Sequence, residues 1–150
     1  MVWAGVSNGG RTGLYVIQGG TLTAVRYRDE ILRPFVVPYA GAIGDSFLFI
    51  DDNARSHWAG LVDDILEVEG IERMQWSACS PDINPIEHVR DALGMHIADR
   101  LAPPTTVPEL HIALMEEWPR SSQELIVNLI AYMSHRCEAV LVIQGDHTPY

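Results

Sequence analysis

The pattern of hydrophobic and polar positions divides the chain into short strands followed by helices. Two apolar runs, Met1–Ser7 and Gly13–Gln18, flank a glycine-rich turn at residues 8–10, which is typical of a β-hairpin. From Ala24 to Phe35 the apolar residues recur every three or four positions, and this spacing predicts a helix. Because Pro34 falls inside this element, we expect a bend or a second short helical segment there.

The next apolar run, Phe47–Ile50, has the length and composition of a strand. Since side chains alternate along a strand, Phe47, Phe49 and Asp51 should share one face. Asp52 should then lie on the opposite face, at the carboxyl end of the strand. The two neighbouring aspartates are therefore not expected to share a site.

Helices dominate the remainder of the predicted structure. Ser56 can cap a helix that ends at Gly70, and Ile71–Trp76 is predicted to be a return strand. A further helix should begin at Pro85 and end near Leu101. Thr106 can cap the helix after it, whose buried face would contain Leu110, Ala113, Leu114 and Trp118. Apolar positions beyond residue 124 predict one broken helix or two consecutive helices. The order is that of an α/β domain with extra helices at its C-terminal end.

Composition and charge narrow the possible functions. At 150 residues with 47% hydrophobic side chains, the chain should form one globular domain. The net charge of −10, from 10 basic and 20 acidic residues, argues against a self-sufficient DNA-binding protein, because DNA affinity depends on cations that neutralise phosphates. Two cysteines, Cys79 and Cys137, do not make a disulfide framework. No run approaches the roughly 18 apolar residues that span a bilayer, so no membrane association is expected.

Two acidic residues stand at positions where they could share a metal ion. Asp52 follows a predicted strand, and Glu87 occupies the third position of a predicted helix in which Asn84 suits the N-cap and Pro85 the first turn. Residues 53–86 leave room for one helix and one return strand between the two acids. Two alternatives stay open at this point. Asn84-x-x-Glu87 is close to a capping box, and an aspartate at a strand end is often a turn former.

Two motifs bring in a family resemblance. The stretches Asp52-Asn53-Ala54-Arg55-Ser56-His57 and Ser80-Pro81-Asp82-Ile83-Asn84-Pro85-Ile86-Glu87-His88, at this spacing, resemble the DDE transposases of the Tc/mariner superfamily. Shorter matches at Met1–Val6, Leu101–Thr105 and Gly145–Tyr150 extend the resemblance over nearly the whole chain. It implies an α/β, ribonuclease-H-like fold, in which a mixed sheet is flanked by helices, with extra C-terminal helices. Residues 1–150 would form such a DDE domain, N-terminally incomplete and lacking the first strand.

The resemblance also implies a catalytic metal site. In the family, three acidic residues bind Mg²⁺ or Mn²⁺; by motif Asp52 takes the second position and Glu87 the third, as catalytic residues and metal ligands. The first position has no matching residue in this chain. Arg90 stands where the family usually has tryptophan, and from its i, i+3 position it can pair with Glu87 and compete with a metal.

The function implied by the resemblance is metal-dependent DNA cleavage and strand transfer in DNA transposition. Because one acidic position is unmatched, we expect the chain as it stands to be inactive. The implied partners are transposon ends and target DNA, bound mainly through an N-terminal region not matched here, and the full-length form should be a homo-oligomer in the nucleus. The alternative is a non-catalytic, domesticated or decayed transposase-derived module for binding or oligomerisation, which metal titration would distinguish.

Overall fold

A computed structural model describes residues 1–51, 54, 57, 59–74 and 83–142. The chain divides into two compact units. The first unit contains Met1–Trp3 and Tyr15–Ser80, and the second contains Ala4–Leu14 and Pro81–Tyr150. Among the described helices, none combines the length and the apolar character needed to cross a membrane. The description of residues 1–150 as an N-terminally incomplete DDE domain stays a prediction.

Four short strands replace the two longer ones predicted near the start. In the first unit, β1 (Val2–Trp3) pairs antiparallel with β4 (Tyr15–Val16). In the second unit, β2 (Val6–Ser7) and β3 (Gly10–Arg11) pair antiparallel on either side of a two-residue turn, which confirms the predicted hairpin turn. The prediction of one continuous strand over Met1–Ser7 is wrong. The Gly5 N–H donates to the Thr12 side chain (2.8 Å) instead of to a backbone carbonyl, which interrupts the ladder.

The predicted helix after the hairpin consists of three consecutive segments. These are α1 (Ala24–Arg26), a π-helix (Tyr27–Val36) and α2 (Val37–Ile43). Pro34 lies in the π-helix, whose wider turn accommodates a ring that would clash with a carbonyl in an α-helix. The expected second segment is therefore present as α2. The side chains of the π-helix that face the core of the first unit are Tyr27, Ile31, Leu32 and Val36.

The strand predicted at Phe47–Ile50 is present as one member of a parallel pair. β5 (Leu48–Phe49) and β6 (Glu72–Arg73) pair parallel, with Leu48 opposite Glu72 and Phe49 opposite Arg73. Phe49 and Asp51 are buried, whereas the Leu48 side chain is 39% exposed. The predicted alternation of faces is therefore confirmed over the described part of this strand.

Helix α3 (Gly60–Val68) connects the two strands of this pair. It begins later than predicted: its N-cap residue is Ala59, which makes no side-chain cap hydrogen bond. Ser56, the predicted cap, lies outside the described residues. Gly70 follows the helix with a φ of 66°, which confirms the predicted stop, since this left-handed conformation favours glycine. The buried face of α3 consists of Val62, Ile65 and Leu66.

The second unit is largely helical. Its helices are α4 (Pro85–Ala98), α5 (Val107–Glu117), a short 3₁₀ helix (Trp118–Arg120), α6 (Gln123–Ala131) and α7 (Met133–Val142). Helix α4 ends three residues before the predicted Leu101. The Thr106 cap is confirmed and forms a capping box with Glu109. Of the two alternatives for the C-terminal segment, the structure has two consecutive helices.

The predicted buried face of α5 is correct in part. Ala113 and Trp118 are buried, but the Leu110 side chain is 41% exposed, so its placement in the core was wrong. The Trp118 indole Nε1 donates to the Thr12 carbonyl at 2.8 Å. Arg11 donates to the Ser121 carbonyl, also at 2.8 Å. These long-range bonds attach the β2–β3 hairpin to the helices of the second unit.

Candidate metal and catalytic centre

The carboxyl end of β5 is fixed by a buried ion pair between Asp51 and Arg73. Arg73 Nε donates to Asp51 Oδ1 at 3.1 Å, and Arg73 Nη2 donates to Oδ1 and Oδ2 at 2.9 and 3.0 Å. The two side chains are only 7% and 12% exposed. Because β5 and β6 are parallel, their carboxyl ends lie side by side, and Arg73 at the end of β6 reaches Asp51, two residues after β5.

The ion pair extends to other parts of the first unit. Arg73 Nη1 donates to Asp63 Oδ1 on α3 at 2.9 Å, and the Asp63 side chain is 59% exposed. His57 Nδ1 lies 3.9 Å from Asp51 Oδ2, and the imidazole stacks on the buried Tyr27 ring at a centroid distance of 4.0 Å. Arg73 and His57 therefore both lie against Asp51, the residue that directly precedes Asp52, and each is held in turn by a neighbour, Asp63 of α3 or Tyr27 of the π-helix.

Sequence reasoning did not identify Arg73. The available signal was a lone arginine within a predicted return strand, with an additional aspartate at the end of the partner strand. A cation whose side chain is largely covered is tolerated when a carboxylate pairs with it. Which aspartate pairs with it depends on the strand register, and sequence spacing alone does not give the register.

Asp52 itself lies outside the described residues, as do Asn53, Arg55 and residues 75–82. The structure therefore does not test whether the carboxylates of Asp52 and Glu87 approach each other. That assignment stays a prediction.

The start of α4 places Glu87 as predicted. Asn84 is the N-cap residue and its side-chain Oδ1 accepts from the Ile86 N–H at 3.2 Å, while Pro85 occupies the first helical position. Glu87 follows in the first turn, where the helix dipole favours a carboxylate. Its side chain is 37% exposed, so it is accessible to a cation from solvent.

The Glu87 carboxylate forms an ion pair with Arg90. Arg90 Nη1 donates to Glu87 Oε1 and Oε2 at 2.9 and 2.8 Å, which confirms the predicted i, i+3 ion pair. The described hydrogen bonds of the Glu87 side chain go to Arg90, so this geometry favours an ion pair over the capping-box alternative. The Arg90 side chain is 61% exposed, and solvent therefore screens the pair and limits its strength.

The donor chemistry suits a hard divalent cation, although the described residues do not assemble a site. Carboxylate oxygens, as in Asp52 and Glu87, are the ligands that Mg²⁺ and Mn²⁺ prefer. Within the part of the chain that the structure describes, no group of three or more acidic, histidine or cysteine side chains could hold a metal ion. The described geometry thus provides one accessible carboxylate, that of Glu87, and an ion pair at Asp51, the residue that precedes Asp52 in the sequence.

Comparisons with known proteins point to one class of relatives. No protein-family model matches the chain. The chain is 30% identical over 132 residues to the transposable element Tcb1 transposase of Caenorhabditis briggsae, which covers 87% of this chain and 47% of that protein. It is 29% identical over 122 residues to the Tc1 transposase of Caenorhabditis elegans, covering 81% of this chain and 43% of that protein. The chain thus spans less than half the length of these curated relatives.

The fold matches a solved catalytic domain. The crystal structure of the catalytic domain of Mos1 mariner transposase superposes with a TM-score of 0.82 over 98% of this chain and 74% of that chain, at 22% identity. At this identity the similarity establishes the fold alone. The predicted ribonuclease-H-like α/β class is thereby confirmed, with the difference that the described strands form three two-stranded pairs instead of one continuous sheet.

Proposed function

Because this chain belongs to the Tc/mariner superfamily of transposases and corresponds to part of their DDE catalytic domain, we propose that it carries two of the metal-binding carboxylates for DNA cleavage and strand transfer. Asp52 and Glu87 are the proposed ligands. The observation that carries the proposal is the start of α4, where Asn84 and Pro85 set Glu87 in the first helical turn, as the motif requires. Asp52 directly follows Asp51, whose side chain is buried and paired with Arg73.

Each residue has a defined part in this proposal. Bound divalent cations activate the attacking oxygen and stabilise the leaving oxygen of a phosphodiester. The capped helix fixes the backbone of Glu87. Because the Glu87 side chain is partly exposed, its carboxylate is open to the cation. Asp52, the residue after Asp51 in the sequence, would supply the second carboxylate.

We propose Mg²⁺ or Mn²⁺ as the metal. Structures of the Mos1 catalytic domain contain raltegravir with Mg and raltegravir with Mn, which supports divalent metal use in the family. Hard carboxylate ligands in this chain suit both ions.

DNA is the proposed partner, mostly through regions other than the described residues. Mos1 transposase forms a paired-end complex and a strand transfer complex, which supports DNA binding by the family. In this chain many described arginines are already paired with carboxylates, namely Arg26, Arg28, Arg33, Arg73, Arg90, Arg100 and Arg120. Little of their charge is free to neutralise phosphates. A homo-oligomeric full-length protein that acts in the nucleus completes this proposal.

One observation favours the alternative of a non-catalytic module. The Arg90–Glu87 pair occupies the carboxylate that a catalytic metal would use. A module used only for binding or oligomerisation retains no selection against such a pair. The ion pair is exposed and weak, however, so a cation can displace it.

Metal titration tests the proposal. Isothermal titration of the chain with Mn²⁺ should show binding that Asp52→Asn and Glu87→Gln each weaken by about tenfold or more, because each removes a direct ligand. Matched controls are Asp45→Asn, which changes an exposed aspartate before β5, and Glu124→Gln, in the first turn of α6. Equal affinity in all five proteins would exclude the proposed ligands and favour the non-catalytic module.

Arg90→Gln is expected to tighten Mn²⁺ binding by about two- to fivefold, since an exposed ion pair of about 0.3–1 kcal/mol no longer competes with the metal. The same titration measures this change. Arg120→Gln removes an equal charge from a similar i, i+3 pair with Glu117 and serves as the control. If both substitutions tighten binding equally, the gain comes from overall charge and not from release of Glu87.

A further inference from the structure

The Asp51–Arg73 pair lies where it can affect the geometry of the proposed metal ligand. Asp51 and Asp52 are consecutive residues, so the conformation at Asp51 sets the direction in which the following residue leaves the strand. The Asp51 carboxylate is held by both Nε and Nη2 of Arg73. We propose that Arg73 is a positioning residue, which fixes Asp51 and thereby orients the adjacent Asp52. This inference rests on the proposed function, in which Asp52 binds the metal.

Burial distinguishes this pair from the other arginine–carboxylate pairs that the described residues form. Asp51 and Arg73 are 7% and 12% exposed, whereas Arg90 and Glu87 are 61% and 37% exposed. A guanidinium in a fork geometry fixes a carboxylate in direction as well as in distance, which a lysine ammonium does not. The arrangement thus restricts the rotation of the Asp51 side chain.

Stability alone is a poor explanation for such a pair. Replacing a buried ion pair by hydrophobic residues of similar volume is often neutral or stabilising, because the desolvation of both charges is avoided. A buried pair at the end of a strand is therefore better explained by the position it imposes. Groups that orient metal ligands typically change metal affinity by about 10–100-fold when they are substituted.

The experiment separates positioning from stability in the full chain. Arg73→Lys keeps the positive charge but loses the fork, and the double variant Asp51→Leu/Arg73→Met replaces the pair by apolar side chains without changing the net charge. Both should retain a cooperative urea transition. Both should bind Mn²⁺ about 10–100-fold more weakly than the unmodified chain in isothermal titration. Asp63→Asn, which removes only the exposed contact of Arg73, should stay within about twofold.

Each outcome decides between the two roles. If Arg73→Lys, or the double variant where it folds, binds Mn²⁺ as the unmodified chain does, Arg73 serves stability only and the inference is overturned. Should the double variant fail to fold, the affinity of Arg73→Lys decides alone. If Asp52→Asn itself leaves Mn²⁺ affinity unchanged, the proposed function fails, whatever the Arg73 variants do. Weak binding in Asp52→Asn together with normal binding in Arg73→Lys refutes only the positioning role.

Discussion

Asp51→Ala is expected to lower the free energy of unfolding of the chain by about 3 kcal/mol, the lower end of the range for breaking a buried ion pair. The substitution leaves the Arg73 guanidinium, which is 12% exposed, without the carboxylate that compensates its desolvation. The remaining contact with Asp63 offsets part of this loss, because that carboxylate stays within 2.9 Å. Urea denaturation, followed by circular dichroism, measures the change in the midpoint.

Asp63→Ala provides the control for this prediction. It removes the exposed arm of the same network, so the expected loss is about 0–1 kcal/mol. Equal losses for the two alanine variants would show that burial does not set the strength of the network. The Asp51→Leu/Arg73→Met variant should recover much of the stability that Asp51→Ala loses, since it leaves no buried charge unpaired and the Asp63 carboxylate that loses its partner is exposed.

Local signals in the sequence predicted the boundaries of several helices. Asn84 and Pro85 placed the start of α4, Thr106 placed the start of α5, and Gly70 followed the end of α3. These signals work because capping and the left-handed glycine conformation depend on residues that are neighbours in sequence. Ser56 shows where such reasoning fails, since its side chain suits a cap but the helix begins after Ala59.

Features that depend on long-range contacts were not predictable in the same way. The Met1–Ser7 strand is split because Gly5 bonds to the Thr12 side chain, and sequence spacing does not reveal that partner. Leu110 fits the apolar period of α5, yet it is 41% exposed. Helical periodicity identifies an apolar stripe, but the position of the neighbouring helices decides how much of that stripe is covered.

In the candidate site too, local features were predictable and long-range contacts were not. The helix cap predicted the position of Glu87 in the first turn of α4, and the i, i+3 spacing predicted its ion pair with Arg90. The structure confirms the helix start and the ion pair. The Asp51–Arg73 pair was missed, since it depends on the parallel register of β5 and β6. The alternation of faces still placed Asp51 with Phe49 in the interior, leaving Asp52 as the candidate ligand.

The largest expected effect concerns catalysis. With residues 1–150 alone, we expect no cleavage of transposon-end DNA in Mg²⁺ or Mn²⁺, because the resemblance implies a mechanism with three carboxylates and the motifs match two of them. Ångström-scale misplacement of a reacting group can cost about 100-fold in rate, and an unmatched ligand position misplaces at least one metal. The net charge of −10 further disfavours the approach of DNA.

In a longer transposase that contains this chain, a third strand-borne carboxylate and a basic DNA-binding region, cleavage should be observed. There, Asp52→Asn and Glu87→Gln should each reduce the rate of end cleavage by about 100-fold or more while leaving DNA affinity nearly unchanged. Both substitutions remove a proposed metal ligand, whereas phosphate contacts by arginine and lysine dominate DNA affinity. Gel assays of strand cleavage and of DNA binding separate the two quantities, with Asp45→Asn and Glu124→Gln as controls of equal charge. If residues 1–150 cut DNA unaided, or if the longer protein tolerates either ligand substitution, Asp52 and Glu87 do not have the roles assigned to them.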